Sequence, residues 1–432
     1  MTTGPKLKIL HVLPGTALQA VPWAYDVITG LCQEQVATGH QVRVLATNRG
    51  LSAADSENLR ATRVGGVEVF HFPVDQWVEM QPIRILRRFY VSSALVQEIK
   101  RTIPLFDIVH IHFVFPFPSI MAARWCRRLA VPYVISPLGN LDPVLHRKSR
   151  RSKSIYLRLF GRRALNRASA VHFLSTGEQR MASSFGVSSP QVVIGLGVDS
   201  ERYRPGPRSG RFRAQFCPHA ERLIFFLGRI APSKGLDLLV NAFAALAERD
   251  PGLHLALAGP DDGGYTQTIA ELIRKKDLQN RVTLTGPLSE EEKIWAFRDA
   301  DVFASLAYTE ALGLAMLEAM ATGLPVLLTN RAALAPRLAS AGAALVVAPE
   351  VTAVAAGLAE LLQNRLLWSA LSTAGRAFVV GEFAWPAIAA SFLNLYQAIL
   401  MKPASLALPH DRPLPLVAPE PDPPSPMVST QP

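Results

Sequence analysis

The chain has 432 residues, of which 49% are hydrophobic, with 45 Lys+Arg against 34 Asp+Glu and three cysteines. That length exceeds what one core usually holds, so two domains of about 200 residues each are expected, and the apolar content argues against a disordered chain. No apolar run reaches the ~20 residues of a bilayer-spanning helix, while Cys32, Cys126 and Cys217 suit neither a disulfide framework nor a zinc site, which fits a reducing cytoplasm.

Near the start, Lys6 and Lys8 followed by "ILHVL" imitate a secretory leader. The run is short, carries His11 and stops at Pro14-Gly15, so it is expected to be a buried first strand entering a loop. Short apolar runs then alternate with helical patterns: a helix around 24–38, "HQVRVLAT", "DIVHIHF", a helix near 119–129, "PYVISP", a helix around 154–168 and "AVHFLST". That alternation describes a parallel sheet with crossover helices. It restarts beyond the turn-rich stretch 197–210: "RLIFFLG", helix 236–248, "LHLALAG", helix 265–276, "VTLTG", helix 289–298, "DVFASL", helix 313–322 and "PVLLT". The fold class is therefore α/β, with two successive doubly wound units. "WPAIAASFLNLYQAIL" (385–400) has helical periodicity with no following strand, and the proline-dominated stretch 402–432 lacks material for a core and is expected to be a disordered extension.

The charge is unevenly divided. Residues 1–200 hold 24 Lys+Arg against 12 Asp+Glu, and residues 201–432 hold 21 against 22. The densest basic cluster is "RKSRRSKSIYLRLFGRR" (147–163), which reads as a solvated helix face or as a patch for anionic lipid headgroups. No recognised nucleic-acid motif accompanies it, so nucleic acid is not expected as a partner.

The chemistry concentrates in two strand–loop–helix units of the second half. Doubly wound sheets bind ligands beyond the carboxyl ends of their strands. In "SLAYTEALGLAMLEAMATGLPVLLT" (305–329), Glu310 falls in such a loop, Gly313 and Leu314 open the helix with backbone N–H groups suited to an anion, and Glu318 lies in the helix body. Two carboxylates at this crevice can accept hydrogen bonds from the hydroxyls of a sugar or a ribose, or can be a helix-terminal acid and a paired charge. In "RLIFFLGRIAPSKGLDLLVNAF" (222–243), Arg229 and Lys234 flank Pro232, and Gly235 permits close backbone approach where the helix begins. Two cations and a helix N-terminus suit a diphosphate. Neither a GxxxxGK[ST] loop nor a GxGxxG turn is present.

"GRIAPSKG" paired with "EALGLAMLEAMATGLPV", downstream of "GLGVD" and ahead of the closing "FAW…Y" helix, resembles the retaining GT-B glycosyltransferases of the family 4 type. "HIHF" and "SPLGNLDP" resemble the subset that builds bacterial exopolysaccharides. The resemblance implies two Rossmann-like domains facing across a cleft: an acceptor domain over 1–198, a donor domain over 199–385, and the helix 386–401 returning to the first. It implies further that Arg229 and Lys234 hold a nucleotide-sugar diphosphate with Gly313 and Leu314, that Glu318 binds the ribose and that Glu310 binds and positions the donor sugar. Leu288 would offer a backbone contact to the base, and the loops bearing Gly15, His112, Gly139 and Asn140 would close on donor phosphate or acceptor. The expected reaction needs no metal, and "PDDGG" (260–264) reads as a turn rather than a DxD metal motif.

Two positions depart from the family pattern: Leu138 stands where many relatives carry a histidine, with His110 and His112 as possible substitutes, and the first loop has one glycine rather than a pair. An epimerase acting on nucleotide sugars, or an inactive nucleotide-sugar-binding partner, would use the same fold. The expected setting is cytoplasmic, with the inner face of the cytoplasmic membrane as the surface that residues 147–163 would meet and a glycan or lipid-linked acceptor.

Overall fold

A computed structural model describes residues 5–15, 23–48, 61–76, 89–141 and 160–401. The proline-rich stretch 402–432, and all of the basic stretch 147–163 except 160–163, lie outside the described residues.

The first sheet contains β1 (Lys8–Val12), β2 (Gln41–Thr47), β3 (Ala61–Val64), β4 (Val67–Phe72), β5 (Ile108–His112), β6 (Tyr133–Ser136), β7 (Ala170–Phe173) and β8 (Gln191–Val193). Its order is β3-β4-β2-β1-β5-β6-β7-β8. The second sheet contains β9 (Arg222–Leu227), β10 (Leu253–Ala258), β11 (Val282–Gly286), β12 (Val302–Ser305), β13 (Val326–Thr329) and β14 (Leu345–Val347), in the order β11-β10-β9-β12-β13-β14. Every residue of β5, β6, β7, β10, β12 and β13 is buried. Helices cover both faces of such strands, which is why they read as unbroken apolar runs.

The first sheet is not wholly parallel. β3 pairs antiparallel with β4 through a turn at Gly65-Gly66, both with left-handed φ, as a two-residue hairpin requires. The strand β14 and the helices Ser93–Thr102, Val351–Gln363 and Arg365–Glu382 also go beyond the sequence expectation. The expected helices at 236–248, 265–276, 289–298 and 313–322 form as Leu236–Ala247, Tyr265–Lys275, Glu290–Asp299 and Leu314–Ala321. A capping box between Ser289 and Glu292 starts the third of these.

The closing helix Trp385–Leu400 buries Ile388, Ala389, Phe392, Leu393 and Tyr396, one stripe at helical spacing, against the helix Trp23–Ala37 of the first lobe. Two strands of chain therefore cross between the lobes, and they run side by side. Val198 donates its N–H to the Phe383 carbonyl at 2.7 Å, and Val198 and Ala384 form a parallel bridge. The strand order reverses at β1/β5 in the first sheet and at β9/β12 in the second. Those two switch points, where helices depart to opposite faces, are where ligand crevices form.

Candidate active site

β9 opens into a loop with a single tight turn at Pro232–Lys234. Gly235 follows with φ 65°, and a Cβ there would collide with the Leu306 carbonyl oxygen, so only glycine lets this loop lie against the end of β12. Tyr308 N–H donates to Ser233 O at 2.9 Å, joining the two loops. The result is an ion pair between Lys234 Nζ and Glu310 Oε2, two side chains 20% and 18% exposed. The loop of Glu310 is fixed from behind, since its backbone bridges Ala332 and its carbonyl accepts the Ala333 N–H at 2.9 Å. Arg229 lies in the same crevice, paired with Asp262. Asp261 accepts N–H groups from Gly264 and Thr266, which makes "PDDGG" a helix-entry turn.

Gly313, with φ 82°, precedes the helix that Leu314 begins. Glu318, half-buried one turn along, makes no ion pair among the described residues. Lost hydration pushes its carboxyl up to about 7, and the nearby Lys293 ammonium holds it from rising further. Around it stand Tyr203, whose hydroxyl donates to Glu290 at 3.3 Å, Arg202, which pairs with Glu290 at 3.3 Å, and Lys293, which pairs with Glu290 as well. Asp26, on the first helix of the opposite lobe, is raised by burial and then by the Glu290 charge. This end of the crevice is thus charged from both lobes. Leu288 is half-buried just ahead of Ser289, the residue that caps the 290–299 helix.

The facing loops of the first lobe end β1, β5 and β6. Gly15 is buried beside Pro14, whose carbonyl accepts the Thr47 hydroxyl. Leu138 and Gly139 both take left-handed φ, 53° and 80°, in the turn Pro137–Asn140. His112 is 2% exposed. Its Nε2 lies 3.0 Å from Nδ1 of His11, and its own Nδ1 has no partner among the described residues. His110 is saturated, with Tyr396 Oη at 2.6 Å from Nδ1 and Ser136 Oγ at 2.6 Å from Nε2. Ser136 continues to His172 Nδ1 at 2.7 Å, and His172 Nε2 donates to the Ile194 carbonyl at 2.7 Å. That carbonyl fixes the direction of the chain: Tyr396 donates to His110, His110 to Ser136, and Ser136 to His172, with every member neutral. Burial depresses the basicity of all four histidines, to about 4 for His11 and His172. Leu138 lines a small apolar cavity with His110, His112 and Ser136, so both histidines proposed as substitutes adjoin it.

His11, His110 and His112 bring ring nitrogens within 4.8 Å of one another, the one such trio among the described residues. A metal takes one nitrogen of each ring, so binding there would break one of the two hydrogen bonds of His110, whose ring also stacks on His112 at 4.2 Å. The trio fits a hydrogen-bonded core better than a metal centre. The sequence reading missed Asp26, Arg202, Tyr203, Asp262, Glu290 and Lys293. The run "SEEEK" (289–293) carried a readable signal in its acid–base spacing; Asp26 carried none.

Residues 26–197 match the family described as "Glycosyl transferase 4-like domain", and residues 211–378 match "Glycosyl transferases group 1". The two matches take in most of the chain, which belongs to the GT-B glycosyltransferases of the family 4 type. Among curated relatives, a D-inositol 3-phosphate glycosyltransferase of Nocardia farcinica is 27% identical over 319 residues, 72% of this chain and 70% of its own length. A GDP-mannose-dependent alpha-(1-6)-phosphatidylinositol monomannoside mannosyltransferase of Mycobacterium tuberculosis is 32% identical over 52% of this chain and 60% of its own length. Among solved structures, HepE of Anabaena in complex with UDP and glucose superposes with a TM-score of 0.71 at 18% identity, covering 91% of this chain and 100% of that one. Sucrose-phosphate synthase of Thermosynechococcus elongatus gives 0.71 at 19% identity, covering 91% and 99%. These likenesses agree on the fold, and the chain is a glycosyltransferase. No described helix is long and apolar enough to cross a membrane.

Proposed function

We propose that the protein moves a sugar from a nucleotide-diphosphate sugar to a glycan or lipid-linked acceptor with retention of anomeric configuration, in exopolysaccharide or cell-surface polysaccharide assembly. The observation that carries the reading is the convergence of Arg229, Lys234, Glu310 and the Gly313–Leu314 helix start at the β9/β12 switch point. Residues 1–198 with the closing helix would receive the acceptor, and residues 199–385 would hold the donor.

In this reading, Lys234 and Arg229 exchange their carboxylate partners for the donor diphosphate, assisted by the N–H groups of Gly313 and Leu314. Charge developing on the leaving diphosphate is then met by groups already in position. Glu310, released from Lys234, accepts hydroxyls of the donor sugar, and Glu318 accepts those of the ribose. Leu288 offers its backbone to the base. As the C–O bond to the diphosphate breaks, the acceptor oxygen attacks from the same face and passes its proton to a leaving phosphate oxygen, so no carboxylate nucleophile is required. The positive groups present meet the leaving charge without a metal. Gly15, His112, Gly139 and Asn140 form the opposite wall.

The relatives' names include a GDP-mannose-dependent enzyme acting on a phosphatidylinositol mannoside and one acting on an inositol phosphate, which supports a polyol or lipid-linked polyol acceptor. The test is incubation with UDP- and GDP-sugars and candidate acceptors. Free nucleoside diphosphate with a glycosylated product of unchanged anomeric configuration is expected; an interconverted sugar nucleotide, or binding without turnover, would overturn the reading. For the basic stretch 147–163, salt-sensitive flotation with anionic liposomes is expected, and indifference to lipid charge would remove the membrane from the proposal.

A further inference from the structure

Glu178 is a charged side chain left 1% exposed in the first lobe, and it lies outside the diphosphate and ribose contacts. It sits in the short helix Thr176–Ala182, whose Ser175 cap accepts its N–H at 3.1 Å. A buried carboxylate is expensive unless hydrogen-bonded, and both its oxygens are used on backbone. Oε2 accepts the Leu174 N–H and Oε1 the Gly139 N–H, each at 2.6 Å. The second bond reaches 39 residues back, into the turn Pro137–Asn140.

That turn needs holding. Leu138 at φ 53° is a branched side chain in the left-handed region, a conformation that L side chains adopt at a steric cost. A charge-assisted bond to the next N–H opposes relaxation of the turn. The same short helix also touches the opposite lobe. A Cβ at Gly177 would lie 2.5 Å from the Ala333 Cβ, so the two backbones meet where only glycine fits. Thr309 Oγ1 lies 3.9 Å from Met181 Sδ. Ala333 and Thr309 are the residues that brace Glu310: Ala333 N–H donates to its carbonyl, and Thr309 precedes it in the chain.

We propose that Glu178 is a positioning residue for sugar transfer, which fixes the 137–140 turn from within the first lobe while its helix abuts the Glu310 loop across the cleft. One helix thereby sets the spacing between the wall that faces the acceptor and the carboxylate that faces the donor sugar. The role of Glu310 rests on the function proposed above; the hold on the turn does not.

The test is Glu178→Gln. An amide offers one acceptor oxygen and one NH2, so one of the two backbone N–H groups loses its acceptor. Amide exchange at Gly139–Asn140 is expected to quicken at least tenfold in the ligand-free protein. With UDP-glucose and GDP-mannose as probes, turnover of whichever donor the wild type uses is expected to fall at least tenfold, while Kd for UDP or GDP stays within twofold. A purely structural role would lower Tm and leave turnover per folded molecule unchanged, and that result overturns the proposal. Unchanged exchange at Gly139 in Glu178→Ala, which removes both acceptor oxygens, overturns it as well, even if neither donor is used and the functional reading has failed. Should Glu178→Gln not fold, Gly177→Val tests the cross-cleft contact: turnover should fall while exchange at Gly139 stays as in the wild type. Wild-type turnover in that variant would overturn the coupling.

Discussion

The two lobes solve the same problem in different ways. Each places polar groups at the carboxyl ends of a buried parallel sheet, where unsatisfied groups cost about 1–3 kcal/mol apiece. The first lobe satisfies them internally, through the neutral chain Tyr396–His110–Ser136–His172–Ile194. The second leaves them charged and paired only with one another, as in Lys234–Glu310 and Arg229–Asp262. A closed neutral chain has nothing left to offer a ligand and serves stability, including the docking of the closing helix. Partly exposed ion pairs can exchange partners, which is what the proposed diphosphate site would require. The division of labour between stability and binding follows from that chemistry, and it can be attacked from either side.

The largest effect should come from His110→Ala, which strips acceptor or donor from both Tyr396 and Ser136 and leaves a hole; a loss of roughly 3–5 kcal/mol is expected. Chemical denaturation measures it, and a loss below 1 kcal/mol would deny the chain its structural role. The wild type carries a companion signature in pH. Unfolded histidine titrates near 6.5, whereas His11 and His172 titrate near 4 when folded. Between those values the unfolded chain binds protons that the folded chain does not, so the contribution of these two histidines falls as pH drops from 6.5 toward 4 and is flat above 7. Lys234→Ala should behave oppositely: turnover falls roughly 100- to 1000-fold with little change in Tm. If Lys234→Ala unfolds the protein instead, the second lobe is no more exchangeable than the first.

The fold was legible because buried parallel strands leave unbroken apolar runs and crossover helices leave periodic ones. The hairpin β3–β4 escaped although "VGGV" at its tip is a strong turn signal, since one four-residue edge strand is faint beside seven parallel ones. The crevice positions of Arg229, Lys234 and Glu310 were readable because loop position and charge coincide in local sequence, and that of Glu318 because its helix follows such a loop. Their partners were not. Asp262 lies 33 residues from Arg229, Lys234 76 from Glu310, and Tyr203 87 from Glu290, separations fixed by sheet order alone. His110 and His112 drew notice as possible substitutes at Leu138, but the long-range bonds of His110 to Tyr396 and of His112 to His11 leave no mark in local sequence.

Glu318→Gln sharpens the comparison at intermediate scale. If Glu318 accepts ribose hydroxyls, the amide should weaken UDP or GDP binding by about 1–3 kcal/mol. Its carboxyl titrates near 7, against an ordinary value of 4.5, so the acid form is favoured in the folded protein between those values. Protonation of Glu318 therefore adds to stability as pH falls from 7 toward 4.5, while nucleotide affinity should rise as pH climbs from 6 to 8. Calorimetry across that range should give a slope for the wild type and none for the variant. A pH-independent wild type would place the ribose elsewhere.

The smallest effect is the most discriminating. Arg229 and Asp262 are 40% and 46% exposed, so their pair should contribute under about 1 kcal/mol to stability. Asp262→Asn keeps the shape and removes the competing anion. If the second lobe is built for partner exchange, a diphosphate no longer has to displace a carboxylate from Arg229, and affinity for UDP or GDP should rise a few-fold, more at low salt than at high. If affinity falls instead, Asp262 holds the guanidinium in its working position, and this ion pair resembles the fixed chain of the first lobe rather than its opposite.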